Sequence, residues 1–142
     1  MSFLLDTNAV SEWTKPKPDP GLAAWLGSTD EEHIFLSVVT LAEIKFGIER
    51  LAAGRRRDSL ESWLRDELIP RFDGRLLPID GQIAQAWGQL VASCATVGKP
   101  IGIMDGFIAA TAAEHQLTLV TRNGAHFADA KISLLNPWSP IG

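Results

Sequence analysis

Apolar residues along this chain fall into two alternating regimes. Short apolar runs recur at residues 3–5, 34–39, 76–79, 117–121 and 132–135, each long enough for a strand and too short for a helix. Between most of them the spacing changes to that of a helix face. Leu41, Ile44, Ile48 and Leu51 form one stripe, Leu60, Trp63, Leu64 and Leu68 a second, and Ile83, Ala86, Trp87, Leu90, Val91 and Cys94 a third. Asp80 is placed to cap the third helix, which ends before Gly98. Strands that alternate with helices and are apolar almost throughout predict an α/β fold. Its central sheet has about five strands, mostly parallel, with helices on both faces in three layers.

That architecture directs attention to the strand ends, because open parallel sheets bind ligands beyond the carboxyl ends of their strands. Asp6 directly follows the first strand, Thr40 and Glu43 follow the second, and Thr121 and Asn123 close the fourth. Polar residues from distant parts of the chain are thus expected on one rim.

Composition bounds the reading. With 142 residues, 46% of them hydrophobic, the chain suffices for one core and is read as a single domain, 1–142. No linker, repeat or low-complexity stretch divides it. The start, Met-Ser-Phe-Leu-Leu-Asp, has neither a basic leader nor a long apolar run, so no signal peptide and no membrane anchor are expected. A single cysteine, Cys94, cannot form an internal disulfide; it lies on an apolar helix face and is read as a buried thiol in a reducing compartment, the cytoplasm. The net charge of −4 argues against a free-standing RNA-binding module. It argues less against a metal-dependent enzyme, whose acids cluster by necessity around a cation.

Three acids are the candidate chemistry, and each has an ordinary structural explanation. Asp6 opens Asp-Thr-Asn and can serve as a helix N-cap. Glu43 closes Thr40-Leu41-Ala42-Glu43, the capping-box pattern in which Glu reaches back to the cap residue. Gly47, one turn above it, costs about 1 kcal/mol against Ala inside a helix, which suggests that something approaches closely there. Asp105 stands at the start of Gly-Phe-Ile-Ala-Ala-Thr-Ala-Ala, where an acid favours the helix dipole. Taken together the acids say more. Carboxylates about 4 Å apart repel by roughly 4 kcal/mol at an effective dielectric near 20, so converging acids need protons or a cation. Oxygen ligands without any Cys-x-x-Cys or His-Glu-x-x-His spacing point to Mg²⁺, with Mn²⁺ as a substitute.

Leu-Leu-Asp-Thr-Asn, Leu-Ala-Glu-Ile-Lys-Phe-Gly-Ile, Ile-Met-Asp-Gly-Phe-Ile-Ala-Ala-Thr-Ala, Leu-Val-Thr-Arg-Asn and a closing Asn-Pro-Trp occur in that order across nearly the whole chain. Together they resemble the PIN-domain toxins of the VapC and FitB type. The resemblance implies a PIN-like fold and an endoribonuclease acting on RNA with Mg²⁺ held by Asp6, Glu43 and Asp105. It also implies a cognate antitoxin as partner, and a homodimer. The family often has a fourth acid where this chain has Asn123, which keeps an oxygen but no charge; one metal is therefore expected, not two.

Under this reading Thr7, Asn8, Thr121 and Asn123 orient waters or neighbouring groups around the acids, with Asn123 counted beside them in the catalytic set. Arg50, Arg55, Arg56, Arg57 and Arg122 are candidates for RNA phosphates, although the first four equally suit a solvated helix start. Trp13 and Trp25 suit either an antitoxin groove or the core, and His33, His115 and His126 show no partner spacing. Two other classes compete. A PIN fold that binds but no longer cuts would explain Asn123. A receiver-like phosphoacceptor would use Lys99-Pro100, but Lys99 follows a long helix and no acid pair adjoins the first strand.

Overall fold

The structure is a computed structural model, and it describes residues 1–140. Five strands, β1 (Phe3–Leu5), β2 (Ile34–Ser37), β3 (Leu76–Leu77), β4 (Thr118–Val120) and β5 (Leu134–Leu135), form one sheet in the order β3-β2-β1-β4-β5. Every pairing is parallel, so the expected α/β sheet of five strands is present and is parallel throughout. In the middle of the sheet Phe3 lies between Ile34 and Thr118, and Leu4 between Phe35 and Leu119.

Several strands are shorter than their apolar runs. The run at 34–39 is cut at Ser37, whose hydroxyl accepts the Val39 N–H at 3.0 Å and caps α3 (Val38–Glu49). Capping chemistry there outweighs the β preference of Val38 and Val39. The other helices are α1 (Thr7–Ser11), α2 (Pro20–Ser28), α4 (Arg55–Trp63), α5 (Ile69–Arg71), α6 (Gly81–Thr96) and α7 (Ile103–Glu114). Asp80 caps α6 as expected, accepting from the Ile83 N–H at 2.9 Å. Between α4 and α5 the helix widens into a π turn over Leu64–Leu68. Pro70 follows at once; it has no N–H for the usual helical ladder, and the wide turn precedes that break.

Alternation along the strands creates two cores. Leu5 and Val120 point into one with Val10, Leu22, Leu64, Leu68 and Phe72; Leu4 and Leu119 point into the other with Ile108, Ala109, Ala112 and Phe127. The sheet is thus the middle of three layers. On the second face α6 and α7 approach so closely that a Cβ on Gly106 would lie 2.8 Å from Trp87 Nε1 and 2.9 Å from Val91 Cγ2. Cys94, on α6, is buried as expected. No helix among the described residues is long and apolar enough to cross a membrane.

Two acids that the sequence pattern does not single out, Asp19 and Glu12, fasten the first helices. The Asp19 carboxylate accepts the Leu22 N–H at 3.0 Å and the Ser139 N–H at 2.9 Å, tying the start of α2 to the residues after Asn-Pro-Trp. Gly21 completes the join, donating its N–H to Ser139 Oγ at 2.9 Å. Buried Glu12 accepts the Asp19 N–H at 3.0 Å and pairs with Lys15, whose ammonium holds the Glu12 carboxyl below its ordinary range.

Candidate active site

The chain runs from β1 outward to β2 and β3, then returns to the other side of β1 to place β4 and β5. The reversal falls at the carboxyl ends of β2, β1 and β4, the place where such sheets bind ligands. Asp6 emerges from β1 with its N–H still bonded to the Val120 carbonyl at 2.9 Å. Its carboxylate is 6% exposed at the residue level and held on both oxygens. Oδ1 accepts the Thr7 N–H at 2.8 Å, which is the helix cap; Oδ2 accepts the Thr121 hydroxyl at 2.7 Å and the Asn8 amide at 3.3 Å. Capping and placement on the rim are therefore performed by the same side chain.

Glu43 is not in a capping box. The cap of α3 is Ser37, three residues before Thr40, so Glu43 lies past the first turn and cannot reach back to the cap. Its Oε1 instead accepts the Thr7 hydroxyl at 2.7 Å, and that hydroxyl lies 3.3 Å from the buried Thr40 hydroxyl. Burial pushes the Glu43 carboxyl up; the Thr7 hydrogen bond opposes this, and the charges of Asp6 and Asp105 add to it. Gly47 does not mark a close approach: a Cβ there would meet nothing within 4 Å.

Asp105 lies in the first turn of α7, which starts from Gly102 without a side-chain cap. Burial and the Asp6 charge push its carboxyl up, and His126 draws it down. Among the described residues it has none of the hydrogen bonds that fasten the other two acids; His126 Nδ1 lies 3.8 Å from its Oδ2. Thr121, 1% exposed, joins Asp6 to the segment after β4: its Oγ1 donates to Asp6 and accepts the Asn123 N–H at 3.0 Å. The Asn8 amide oxygen faces the Arg122 N–H at 3.5 Å.

Thus Asp6, Glu43 and Asp105 act on one another electrostatically, while Thr7, Asn8 and Thr121 hold the first two in place. Among the described residues no three His, Cys, Asp or Glu side chains are grouped closely enough to hold a metal ion as they stand. Mg²⁺ is commonly bound by one or two carboxylates plus water and phosphate, so it does not require a closed set of side-chain ligands. The oxygen-only donor set fits a hard divalent ion, and bound cations would relieve the repulsion that raises Glu43 and Asp105.

The arginines lie in different settings. Arg50 sits over the Phe46 ring, 5.5 Å from its centroid, and Arg57 Nη2 bonds Glu49 Oε2 at 2.6 Å. Arg55 and Arg56 line a groove of about 790 Å³ with Ser59, Trp63, Asp66 and Glu67, which does not include Asp6, Glu43 or Asp105. Arg122 lies near Asp19 and lowers its carboxyl, after the stronger effects of hydrogen bonds to backbone N–H groups. Trp13 and Trp25 pack on the first core: Trp25 meets Phe3 edge-on at 4.9 Å, and Trp13 lies 6.1 Å from Phe72 with Arg71 over its ring.

The PIN domain family model matches residues 3–132. VapC ribonuclease Y4jK of Sinorhizobium fredii is 39% identical over 138 residues, covering 97% of this chain and 99% of that protein. Toxin FitB of Neisseria gonorrhoeae is 40% identical over 136 residues, covering 96% and 98%. In a solved structure of FitAB bound to an IR36 DNA fragment, one chain superimposes with a TM-score of 0.90 at 37% identity, covering 99% of this chain and 98% of that one.

Proposed function

This chain belongs to the PIN-domain family, and from that premise we propose that it is a metal-dependent endoribonuclease, the toxin of a toxin–antitoxin pair. The observation that carries the reading is Thr7. Its N–H donates to Asp6 and its hydroxyl to Glu43, so one residue sets the acids of two different elements on one rim. A structural cap would need only the first bond.

Asp6, Glu43 and Asp105 would hold the ion, Mg²⁺ with Mn²⁺ as substitute. When bound, such an ion supplies Lewis-acid stabilisation of a phosphoryl oxygen and a water of lowered pKa. The protein's own part is positioning. Thr121 and Asn8 fix the Asp6 carboxylate, Thr7 fixes Glu43, and Thr121 also sets the backbone that carries Asn123 to the same rim. Asn123 would offer an amide to the phosphodiester or its water without adding charge. RNA would cross the strand ends, with Arg50, Arg55, Arg56 and Arg122 as candidate phosphate contacts, while Arg57 is engaged by Glu49. The partner would be a cognate antitoxin, in keeping with relatives named VapC ribonuclease and Toxin FitB, and the chain would act as a homodimer in the cytoplasm.

The test is cleavage of a defined single-stranded RNA by purified protein with Mg²⁺ or EDTA. Metal-dependent cutting by wild type that is absent in Asp6→Asn supports the proposal. No cutting above background by wild type would favour a PIN fold that binds without cleaving.

A further inference from the structure

Glu43 begins a stripe on α3. Residues three and seven positions on share its face of the helix, so Phe46 and Arg50 lie beyond it, about 4.5 Å and about 10.5 Å along the axis. Phe46 is 63% exposed, the one aromatic among the large hydrophobic side chains that the described residues leave in solvent. Arg50, also exposed, stands over the ring, with Cζ 5.5 Å from its centroid. Its charge is not spent. Among the described residues Arg50 pairs with no carboxylate, whereas Arg57, Arg65 and Arg71 each pair with one. Lys45 and Glu49, on the neighbouring side of α3, are joined to each other and to α4.

Single apolar side chains are common on protein surfaces and by themselves ask for nothing. Here the exposed ring adjoins an acid of the candidate site and carries an unneutralised guanidinium. Aromatic faces beside cations are how proteins hold single-stranded nucleic acid without reading its sequence. Apolar side chains also precede Asp105, where Ile103 and Met104 are exposed, but α7 has no Lys or Arg. Of the two helices, only α3 combines a ring with charge complementary to a polyanion. We propose that Phe46 and Arg50 form a subsite for single-stranded RNA next to the acids. The ring stacks on the base of a nucleotide beside the phosphodiester, and the guanidinium neutralises a phosphate further along the strand. The inference rests on the ribonuclease reading above, and its binding test needs no metal ion. A paired duplex offers no free base face to such a ring, so the subsite selects single strands and tolerates any base.

The test uses the full chain and a fluorescein-labelled single-stranded RNA of mixed sequence. Anisotropy in EDTA gives affinity, and cleavage in Mg²⁺ gives kcat/KM. Phe46→Ala is expected to lower both about tenfold, and Phe46→Trp, which keeps an aromatic face, to stay within about twofold of wild type. Arg50→Ala should also weaken binding and should reduce the slope of log affinity against log salt by about 0.7, a slope that Phe46→Ala leaves as in wild type. Melting temperatures should be unchanged, since both side chains are exposed. Undiminished affinity in Phe46→Ala, or a wild type that cleaves yet does not bind the RNA in EDTA, would overturn the subsite and leave the ribonuclease reading standing. So would a lower mass of Phe46→Ala by light scattering, which would make Phe46 a contact between copies of the chain. Binding that depends on Phe46 without any cleavage would keep the subsite and overturn the ribonuclease reading. A wild type that neither binds nor cleaves would overturn both.

Discussion

Glu43→Gln separates a structural acid from one held under strain by its neighbours. The substitution keeps the shape and an Oε1 acceptor for the Thr7 hydroxyl now at 2.7 Å, and removes the charge. The loss is the difference between a hydrogen bond to a charged group and a neutral one, about 1 kcal/mol. The gain is relief of burial and of repulsion from Asp6 and Asp105, the effects that hold the Glu43 carboxyl above its ordinary range. A pair of charges about 4 Å apart repels by roughly 4 kcal/mol at an effective dielectric near 20, and pairs further apart by less. Relief of about 2 kcal/mol leaves the metal-free variant about 1 kcal/mol more stable than wild type, or some 2–5 °C in melting temperature for a chain of this size. The sign depends on pH. A raised carboxyl stabilises the fold while protonated, and loses that advantage as pH rises through its folded pKa. The two proteins should therefore match near pH 4 and diverge toward pH 7. Urea unfolding in EDTA across that range measures the difference. A variant less stable than wild type by 1 kcal/mol or more at pH 7 would refute the electrostatic reasoning and make Glu43 a structural residue.

Three further outcomes follow from the same contacts. Thr121→Val removes the hydroxyl that donates to Asp6 Oδ2 within the buried rim; a stability loss of about 1–3 kcal/mol is expected by urea unfolding. Gly21→Ala would drive a Cβ into the Pro137 carbonyl and to 2.6 Å from the Ser139 N, so the residues after Asn-Pro-Trp must detach. A loss of about 2 kcal/mol or more should appear in thermal unfolding, with faster proteolysis near the C-terminal end. Thr7→Val should lower RNA cleavage more than it lowers the melting temperature, because it releases Glu43 yet leaves the Thr7 N–H on Asp6; equal effects on both would speak for a purely structural Thr7.

The layer order and the three acids are legible in the sequence because they are local or periodic. Leu4 and Leu5 alternate, Asp6 follows them at once, and Asp80 caps the helix that its spacing announces. What is not legible depends on competition or on distance. Thr40-x-x-Glu43 reads as a capping box, yet Ser37 takes the cap three residues earlier, and this frees Glu43 for Thr7. Ser37 in an apolar run was the available signal. Gly47 costs helix stability with nothing close to it, and the structure supplies no reason for it. His126 faces Asp105 across 21 positions, a pairing set by the return of the chain through β4 that no local spacing encodes. Glu12 and Asp19 are ordinary polar residues in sequence and become fasteners only when α1, α2 and the residues near Ser139 meet.

Calorimetric titration of Mn²⁺ into RNA-free protein tests whether Asp6, Glu43 and Asp105 together hold one divalent cation. About one ion per chain is expected for wild type, with affinity lowered roughly tenfold or more in each of Asp6→Asn, Glu43→Gln and Asp105→Asn. Unchanged affinity in all three variants, with each still folded, would contradict it.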